Sequence, residues 1–191
     1  YFFLLALSRN HHSPVLAIEP NQKMCDLITN SMCLNDFSHG KIIRAAAGSN
    51  PGTGHFIVHE QLSSSGYMVA ESNLSSAERV DIICIDDIVT NGDDQSKWLI
   101  KIDTEGFEAH VLSGSSQAMR NGSLFMCEVC LSSAEKVFQI TSTYNYIFLD
   151  HHGKEIKKHQ LLKEKRKDVI LVPFDEAERI SHRLKHIQKS L

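Results

Sequence analysis

Two carboxylates stand immediately after a run of aliphatic residues in the stretch WLIKIDTEGFEAHVLSG, residues 98–114. Asp103 and Glu105 are two residues apart, with Thr104 between them, and Gly106 follows them. Neighbouring carboxylates resist joint ionisation, so one of them can acquire a raised pKa and take a proton from a reacting hydroxyl. We therefore interpret Asp103 or Glu105 as a candidate general base. Lys101, inside the same run, is interpreted mainly as a partner for a neighbouring acid.

Acidic or small residues also end the other predicted strands. The run PVLAIEP carries Glu19, LFMCEV carries Glu128, and KIIRAAAG ends in Ala46, Ala47 and Gly48. In open α/β sheets the ligand lies outside the carboxyl ends of the strands. Small residues there admit a flat ring, and several carboxylates at one rim are costly unless they bind something. We expect the binding site at this rim.

Glu19 has a specific interpretation. An acid about 20 residues past a glycine-rich turn, at the end of the second strand, accepts hydrogen bonds from ribose hydroxyls. Counting back from Glu19 places that turn before Tyr1, so we expect the chain to begin just after the loop that would cradle a cofactor. The alternative is an exposed strand-end carboxylate with no ligand.

Short apolar runs alternate with helical periodicity along the chain, which predicts parallel strands linked by helices. Asn21 is placed to cap the helix that follows the first run. Further expected strands, partly antiparallel, flank a serine-rich loop, and two late strands flank a basic linker; these two connecting segments are residues 63–76 and 151–167. We predict an α/β fold with a mostly parallel, doubly wound sheet and a late antiparallel strand.

The end of the chain carries its own helical pattern. Its apolar stripe consists of Ala177, Ile180, Leu184, Ile187 and Leu191. Such a stripe indicates a helix that packs on its own domain or, alternatively, docks on a partner. We divide the chain into a main domain, 1–174, and a C-terminal amphipathic helix, 175–191. The basic linker is interpreted as a solvated hairpin arm, with contact to a phosphate or an acidic membrane as the alternative.

Composition excludes some functions. The net charge of -3 argues against a general nucleic-acid binder, and no apolar run is long enough to span a bilayer. The five cysteines predict reduced, buried thiols and a cytoplasmic protein, although Cys127 and Cys130 form an isolated CxxC. The eleven histidines are scattered without ligand spacing. A divalent metal could bridge the acids near Asp103, but nothing requires one, and we predict no metal site.

Five segments together resemble the FkbM-type methyltransferase family in order and spacing. They are AIEPNQKMCDLITNSMCLND, IIRAAAGSNPGTGHFIV, IICIDDIV, LIKIDTEGFEAHVLSG and LFMCEV. The fourth is the most specific, and the resemblance covers about residues 1–150. It implies a Rossmann-like class I fold and S-adenosylmethionine as cofactor. The family's first motif, an acid followed by a glycine-rich loop, is expected upstream of Tyr1.

The resemblance also implies roles for individual residues. Glu19 would bind the cofactor ribose with Asn21 beside it, and Ala46 and Ala47 would line the adenine. Asp103 would lie near the methionine moiety and the acceptor, and Glu105 would be catalytic or orient the acceptor. The small-residue loop that approaches the site would be Ser64, Ser65 and Gly66.

The function expected from this resemblance is methylation of a hydroxyl on a small molecule or glycan. The alternative is a truncated or degenerate methyltransferase-like domain that acts as a non-catalytic binding module. An NAD-dependent dehydrogenase would share the strand-end acid Glu19, but it gives no reason for the block around Asp103. Neither the acceptor nor the oligomeric state follows from the sequence.

Overall fold

The computed structural model describes residues 1–10, 13–59, 62–69, 77–89 and 96–188, with side chains for all of these except 59, 62–65, 69 and 187–188. The chain divides into two compact units, Tyr1–Ala47 with Pro51–Ile83 and Gly48–Asn50 with Cys84–Leu191. Both units combine strands and helices, which confirms the α/β class.

The first unit contains two small sheets. Its elements are α1 (Phe2–Arg9), β1 (Val15–Ile18), α2 (Gln22–Leu34), β2 (Gly40–Ile43), β3 (Ala46–Ala47), β4 (Gly52–His59), β5 (Leu62–Val69) and β6 (Glu78–Ile83). β1 pairs with β2 in parallel, and the other sheet has the order β3-β6-β4-β5. Asn21 caps α2 as predicted, because its side chain accepts a hydrogen bond from the Lys23 amide at 3.0 Å.

The second unit is built on a five-stranded sheet of order β10-β9-β11-β8-β7. Its elements are α3 (Ile85–Val89), β7 (Leu99–Ile102), α4 (Glu108–Ser113), α5 (Ser116–Arg120), β8 (Leu124–Cys130), α6 (Leu131–Thr143), β9 (Tyr146–Leu149), β10 (Glu155–Ile156), α7 (Lys158–Leu161), β11 (Arg166–Pro173) and, after a short 3-10 turn, α8 (Ala177–Gln188). β8 buries alternate residues on the helix side, among them Phe125, Cys127 and Val129.

The predicted mostly parallel, doubly wound sheet is not confirmed. Among the described residues, three strand pairs are parallel and five are antiparallel, spread over three small sheets. The parallel pairs β1–β2 and β7–β8 are joined through helices, which give the length that a parallel return needs. β4 pairs antiparallel with both β5 and β6, as the sequence indicated for this region.

The strand predicted through IICIDDIV ends earlier than expected. β6 stops at Ile83, and α3 begins at Ile85. The Asp86 carboxylate accepts hydrogen bonds from the amides of Gln117 and Ala118 at 2.9 and 3.0 Å. These contacts satisfy amides at the start of α5 that have no partner within the helix. Asp86 therefore acts as a structural cap, a role that the sequence pattern does not reveal.

The basic linker is more ordered than a solvated arm. It contains β10 and α7, and the side chains of Ile156 and Leu161 are buried. The solvated-arm interpretation therefore applies only to its charged side chains, such as the exposed Lys157.

The C-terminal helix α8 packs on the sheet of the second unit. Ala177, Ile180 and Leu184 contact a buried cluster that includes Leu149 and Val172. This is the first of the two alternatives predicted for the apolar stripe. The side chains of residues 187 and 191 lie outside the described set, and the division at residue 174 stays a prediction.

Helices with both the length and the apolar character to cross a bilayer do not occur within the described ranges.

Candidate active site

Strand register brings the predicted carboxylates of the second unit together. β7 and β8 run in parallel with Ile102 opposite Cys127, so the next residues, Asp103 and Glu128, are neighbours at the carboxyl ends of the two strands. Carboxylate oxygens of Asp103, Glu105 and Glu128 all lie within 4.8 Å of one another. We call these three residues the acidic cluster. The cluster lies where β7 ends, one of the strand ends at which a site was expected, and a rim shared with Glu19 stays a prediction.

Two cations accompany the acidic cluster. Lys101 Nζ lies 3.2 Å from an Asp103 carboxylate oxygen, so the predicted pairing of Lys101 with a neighbouring acid is confirmed. Arg166, at the start of β11, lies 2.5 Å from Glu105 and 3.5 Å from Glu128. The Asp103 side chain remains 50% exposed and is the most accessible of the three acids. Asp103 is therefore best placed to meet a ligand from solvent.

Glu128 holds a proton more readily than an ordinary glutamate. Its pKa is raised, first by loss of hydration and then by the negative charge and hydrogen bond of Asp103, while Arg166 opposes the shift. The sequence analysis placed the proton-accepting role on Asp103 or Glu105. Glu128 joins them as a candidate, because strand pairing surrounds it with the conditions that a general base requires.

The loop after β7 has an unusual backbone conformation. Glu105 has φ of 54° and Gly106 has φ of 106°, both in the left-handed region. Glycine adopts this region readily, but a residue with a Cβ does so only where the surroundings hold it there. Contacts that hold the loop in place therefore fix the direction of the Glu105 side chain.

The buried carboxylate of Glu108 provides those contacts. Glu108 is 0% exposed, and its Oε1 accepts hydrogen bonds from the Gly106 amide at 2.6 Å and the Thr104 hydroxyl at 3.3 Å. Its Oε2 accepts from the Ser133 hydroxyl and, at 3.5 Å, from the Cys130 amide. One side chain thus ties the loop that carries Glu105 to the beginning of α6.

The sequence analysis did not select Glu108, although a signal was present. Glu108 lies three and four residues before Val111 and Leu112, which are both buried. Residues at these spacings share one helix face, so a carboxylate on that stripe must be buried with its own hydrogen-bond donors.

In the first unit, Glu19 follows β1 and is held by the next loop. Its Oε1 accepts a hydrogen bond from the Asn21 amide at 2.8 Å. Burial raises the pKa of Glu19, and the Asn21 hydrogen bond opposes this rise. Asn21 is itself buried and uses its side-chain oxygen to cap α2. The two residues predicted to act together at the ribose are therefore joined by a hydrogen bond.

The two alanines predicted to line the adenine differ in burial. Ala46 is buried against Phe56 and Val80, whereas Ala47, the next residue of β3, is partly exposed. The loop predicted at 64–66 belongs to β5. The side chains of Ser64 and Ser65 lie outside the described set, and Gly66 pairs with Val58.

One family profile, described as Methyltransferase FkbM domain, matches residues 1–156. The chain belongs to this family. The resemblance stated from the five segments is thereby confirmed. Comparisons with curated proteins and with solved structures found no match.

The FkbM domain includes Glu19, the acidic cluster and Glu108 but ends before Arg166. The cation that faces two of the three acids is therefore supplied by a strand beyond the matched region. The methyltransferase assignment rests on the profile match over residues 1–156, and Arg166 lies outside it.

The CxxC of the FkbM domain lies on β8. Cys127 and Cys130 are buried free thiols, and burial is the largest cause of the raised pKa of each. The pKa of Cys130 reaches about 11, so this thiol stays protonated at neutral pH. Reactive and metal-binding cysteines require the thiolate. These properties are those of structural core residues.

Proposed function

We propose that this FkbM-family chain is an S-adenosylmethionine-dependent O-methyltransferase acting on a hydroxyl of a small molecule or glycan. The observation that supports this best is the acidic cluster at the carboxyl ends of β7 and β8, within the matched domain. The proposed fold is Rossmann-like and class I. The roles proposed below are given residue by residue.

Cofactor binding is proposed for Glu19, Asn21, Ala46, Ala47 and Asp103. Glu19 accepts hydrogen bonds from the ribose hydroxyls, and the Asn21 amide holds its carboxylate in place. The partial exposure of Ala47 suits contact with adenine, whereas the buried side chain of Ala46 supports the strand behind it. Asp103 is proposed to lie near the methionine moiety.

S-adenosylmethionine, when bound, supplies a methyl group activated by its sulfonium. In the proposed reaction the acceptor oxygen forms a bond to the methyl carbon as the carbon–sulfur bond breaks, and the hydroxyl proton passes to a carboxylate. Asp103 and Glu105 are the proposed catalytic residues, and Glu128 helps the cluster to hold the proton because its pKa is raised. Fixing the acceptor at attack distance contributes much of the rate, which is a reason for a secured loop.

The first experiment measures S-adenosylmethionine binding by calorimetry. Glu19→Ala should weaken binding at least about tenfold, since about 1.4 kcal/mol of ribose contact would be lost. Asp26→Ala, which removes an exposed carboxylate of α2 in the same unit, should bind like the wild type. Unchanged affinity in Glu19→Ala would refute the ribose assignment.

The second experiment measures methyl transfer from labelled S-adenosylmethionine to a set of sugar and small-molecule hydroxyl acceptors. Asp103→Asn and Glu105→Gln should each lower turnover about a hundredfold or more, as expected for loss of a general base. Asp175→Asn, an exposed acid outside the cluster, is the control. Binding without turnover on any acceptor would favour the non-catalytic alternative.

A further inference from the structure

Two histidines on helix α8 form an arrangement that the linear sequence conceals. His182 and His186 are four residues apart and therefore lie on the same face of the helix, one turn apart. Their Nε2 atoms are 3.1 Å apart, and their ring centroids are separated by 4.3 Å. In the linear sequence the histidines look scattered, and the spacing of these two becomes meaningful only on the terminal helix.

We propose that His182 and His186 form a chelating site for a divalent late first-row transition metal such as Zn²⁺. Two imidazole nitrogens bound to one tetrahedral zinc at 2.0–2.1 Å would be about 3.3 Å apart. The observed separation of 3.1 Å is therefore close to the separation that chelation requires. The backbone needs no rearrangement, because helical spacing already brings the two rings together.

Proton positions are compatible with this exchange. A separation of 3.1 Å allows one Nε2 to donate a hydrogen to the other, with the tautomers of the two rings deciding which one donates. Binding a cation requires a lone pair on both Nε2 atoms, so the donating ring shifts its proton from Nε2 to Nδ1. Each imidazole then keeps one N–H, at Nδ1. The metal ion occupies the position between the rings where the shared hydrogen lay.

The surroundings leave the site open and tune its charge. Both histidines are exposed, because Ile180 and Leu184 occupy the side of α8 that packs on the sheet. Water or another ligand can therefore fill the remaining coordination positions. His186 lies in the last turn, where the negative end of the helix dipole favours a cation.

Charged neighbours on the same helix act in both directions. Glu178 precedes His182 by one turn and attracts a cation to this face. Arg183 and Lys185 lie beside the histidines and repel it, whereas the positive charge of Arg179 is compensated by its ion pair with Glu176. We therefore expect a site weaker than a structural zinc centre, which has four protein ligands.

The ligand type distinguishes this site from the acidic cluster. Imidazole nitrogen suits zinc, copper and nickel, whereas Mg²⁺ and Ca²⁺ prefer carboxylate oxygen. The proposal is independent of the proposed methyl transfer, since α8 lies beyond the matched domain. Its success or failure leaves the enzyme assignment unchanged.

The test is a calorimetric titration of the full chain with ZnCl₂. His182→Ala and His186→Ala should each weaken binding at least about tenfold, because chelation is lost with either ring. His159→Ala is the matched control: His159 is an exposed histidine on α7 with no histidine four residues away. All three residues are exposed, so each variant should fold, and far-ultraviolet circular dichroism checks this.

A second measurement locates the ion. In the wild type, Zn²⁺ should shift the imidazole NMR signals of His182 and His186 together and slow amide exchange in α8, while Mg²⁺ should do neither. Wild-type zinc affinity in His182→Ala, or an equal loss in His159→Ala, would overturn the proposal. Zinc binding abolished by Glu128→Gln with the histidine signals unmoved would place the ion at the acidic cluster and would also overturn it.

Discussion

Three main influences act on the pKa of the Glu128 carboxyl group. Desolvation and the neighbouring Asp103 favour its neutral form, and Arg166 favours its charged form. The net effect is a raised pKa, so the first two influences exceed the third. A carboxyl group of this kind can accept and release a proton closer to neutral pH than an ordinary glutamate.

The raised pKa of Glu128 predicts a specific pH dependence of stability. The folded state favours the neutral acid, and this stabilisation is complete below the ordinary glutamate pKa of about 4.3 and is lost as pH rises through the folded pKa. We therefore expect the unfolding free energy of the wild type to fall relative to that of Glu128→Gln as pH rises from about 4 towards neutrality. Urea unfolding at several pH values measures this difference. Parallel curves for the two proteins would contradict the prediction.

Glu19 predicts a pH dependence of ligand binding. In the proposed cofactor site the ionised form of Glu19 would accept hydrogen bonds from the ribose hydroxyls, and burial raises the pKa of Glu19. The affinity for S-adenosylmethionine should therefore fall as pH is lowered, with a midpoint above that of an ordinary glutamate. Calorimetry from about pH 5 to about pH 8, the range in which proteins tend to be most stable, tests this. Glu19→Gln should bind more weakly and with a flatter pH profile; an identical profile would assign the titration to another group.

At the scale of elements, the loop between β7 and α4 depends on contacts to α6. The left-handed Glu105–Gly106 pair is held by the Glu108 carboxylate, which also accepts from Ser133. Both Glu108 oxygens accept hydrogen bonds from donors of the loop and of the start of α6. The position of the candidate base Glu105 therefore depends on the end of β7 and on the helices α4 and α6.

Replacement of Glu108 should be costly. In Glu108→Gln, an NH₂ group replaces one of the two carboxylate oxygens. A buried donor that now bonds to that oxygen would face another donor and lose its partner. We expect a loss of about 3 kcal/mol in unfolding free energy. Glu135→Gln, which affects an exposed ion pair with Lys158, should cost less than about 1 kcal/mol. Chemical denaturation of both variants measures the contrast, and equal losses would contradict the proposed importance of the Glu108 hydrogen bonds for stability.

Gly114, which ends the LIKIDTEGFEAHVLSG block, has no space for a side chain. A Cβ on Gly114 would lie 2.0 Å from the Gly48 carbonyl oxygen and 3.3 Å from the Cys84 sulfur. Gly114→Ala should therefore destabilise the protein by about 1–3 kcal/mol through overpacking. Gly52→Ala is the matched control, because nothing lies within 4 Å of its added Cβ. Similar thermal unfolding of the two variants would contradict the close approach.

At the scale of the molecule, α8 contributes to the second unit through its apolar side. Leu184 packs against the cluster that includes Leu149 and Val172 at the sheet. Leu184→Ala should reduce the unfolding free energy by about 2 kcal/mol, at the lower end of the range for core leucines because the side chain is only partly buried. The exposed Lys185→Ala should have little effect. Full stability in Leu184→Ala would favour the partner-docking alternative for this helix.

Much of the local structure follows from sequence because it depends on neighbours along the chain. The Asn21 cap, the ends of β1 and β7 and the apolar face of α8 are encoded within one or two helical turns or a single strand. Family membership follows equally well, since the motif around Asp103 is contiguous. The mostly parallel sheet was not confirmed, because strand direction depends on pairing between segments far apart in sequence.

The tertiary structure alone decided which side chains share the candidate site. Parallel pairing of β7 and β8 sets Glu128 beside Asp103, and the antiparallel return of β11 brings Arg166 to both glutamates. Burial of Glu108 likewise depends on α6 meeting α4. The sequence by itself determined that carboxylates end the strands. Their adjacency, and hence the raised pKa of Glu128, was decided by long-range register, which no local pattern encodes.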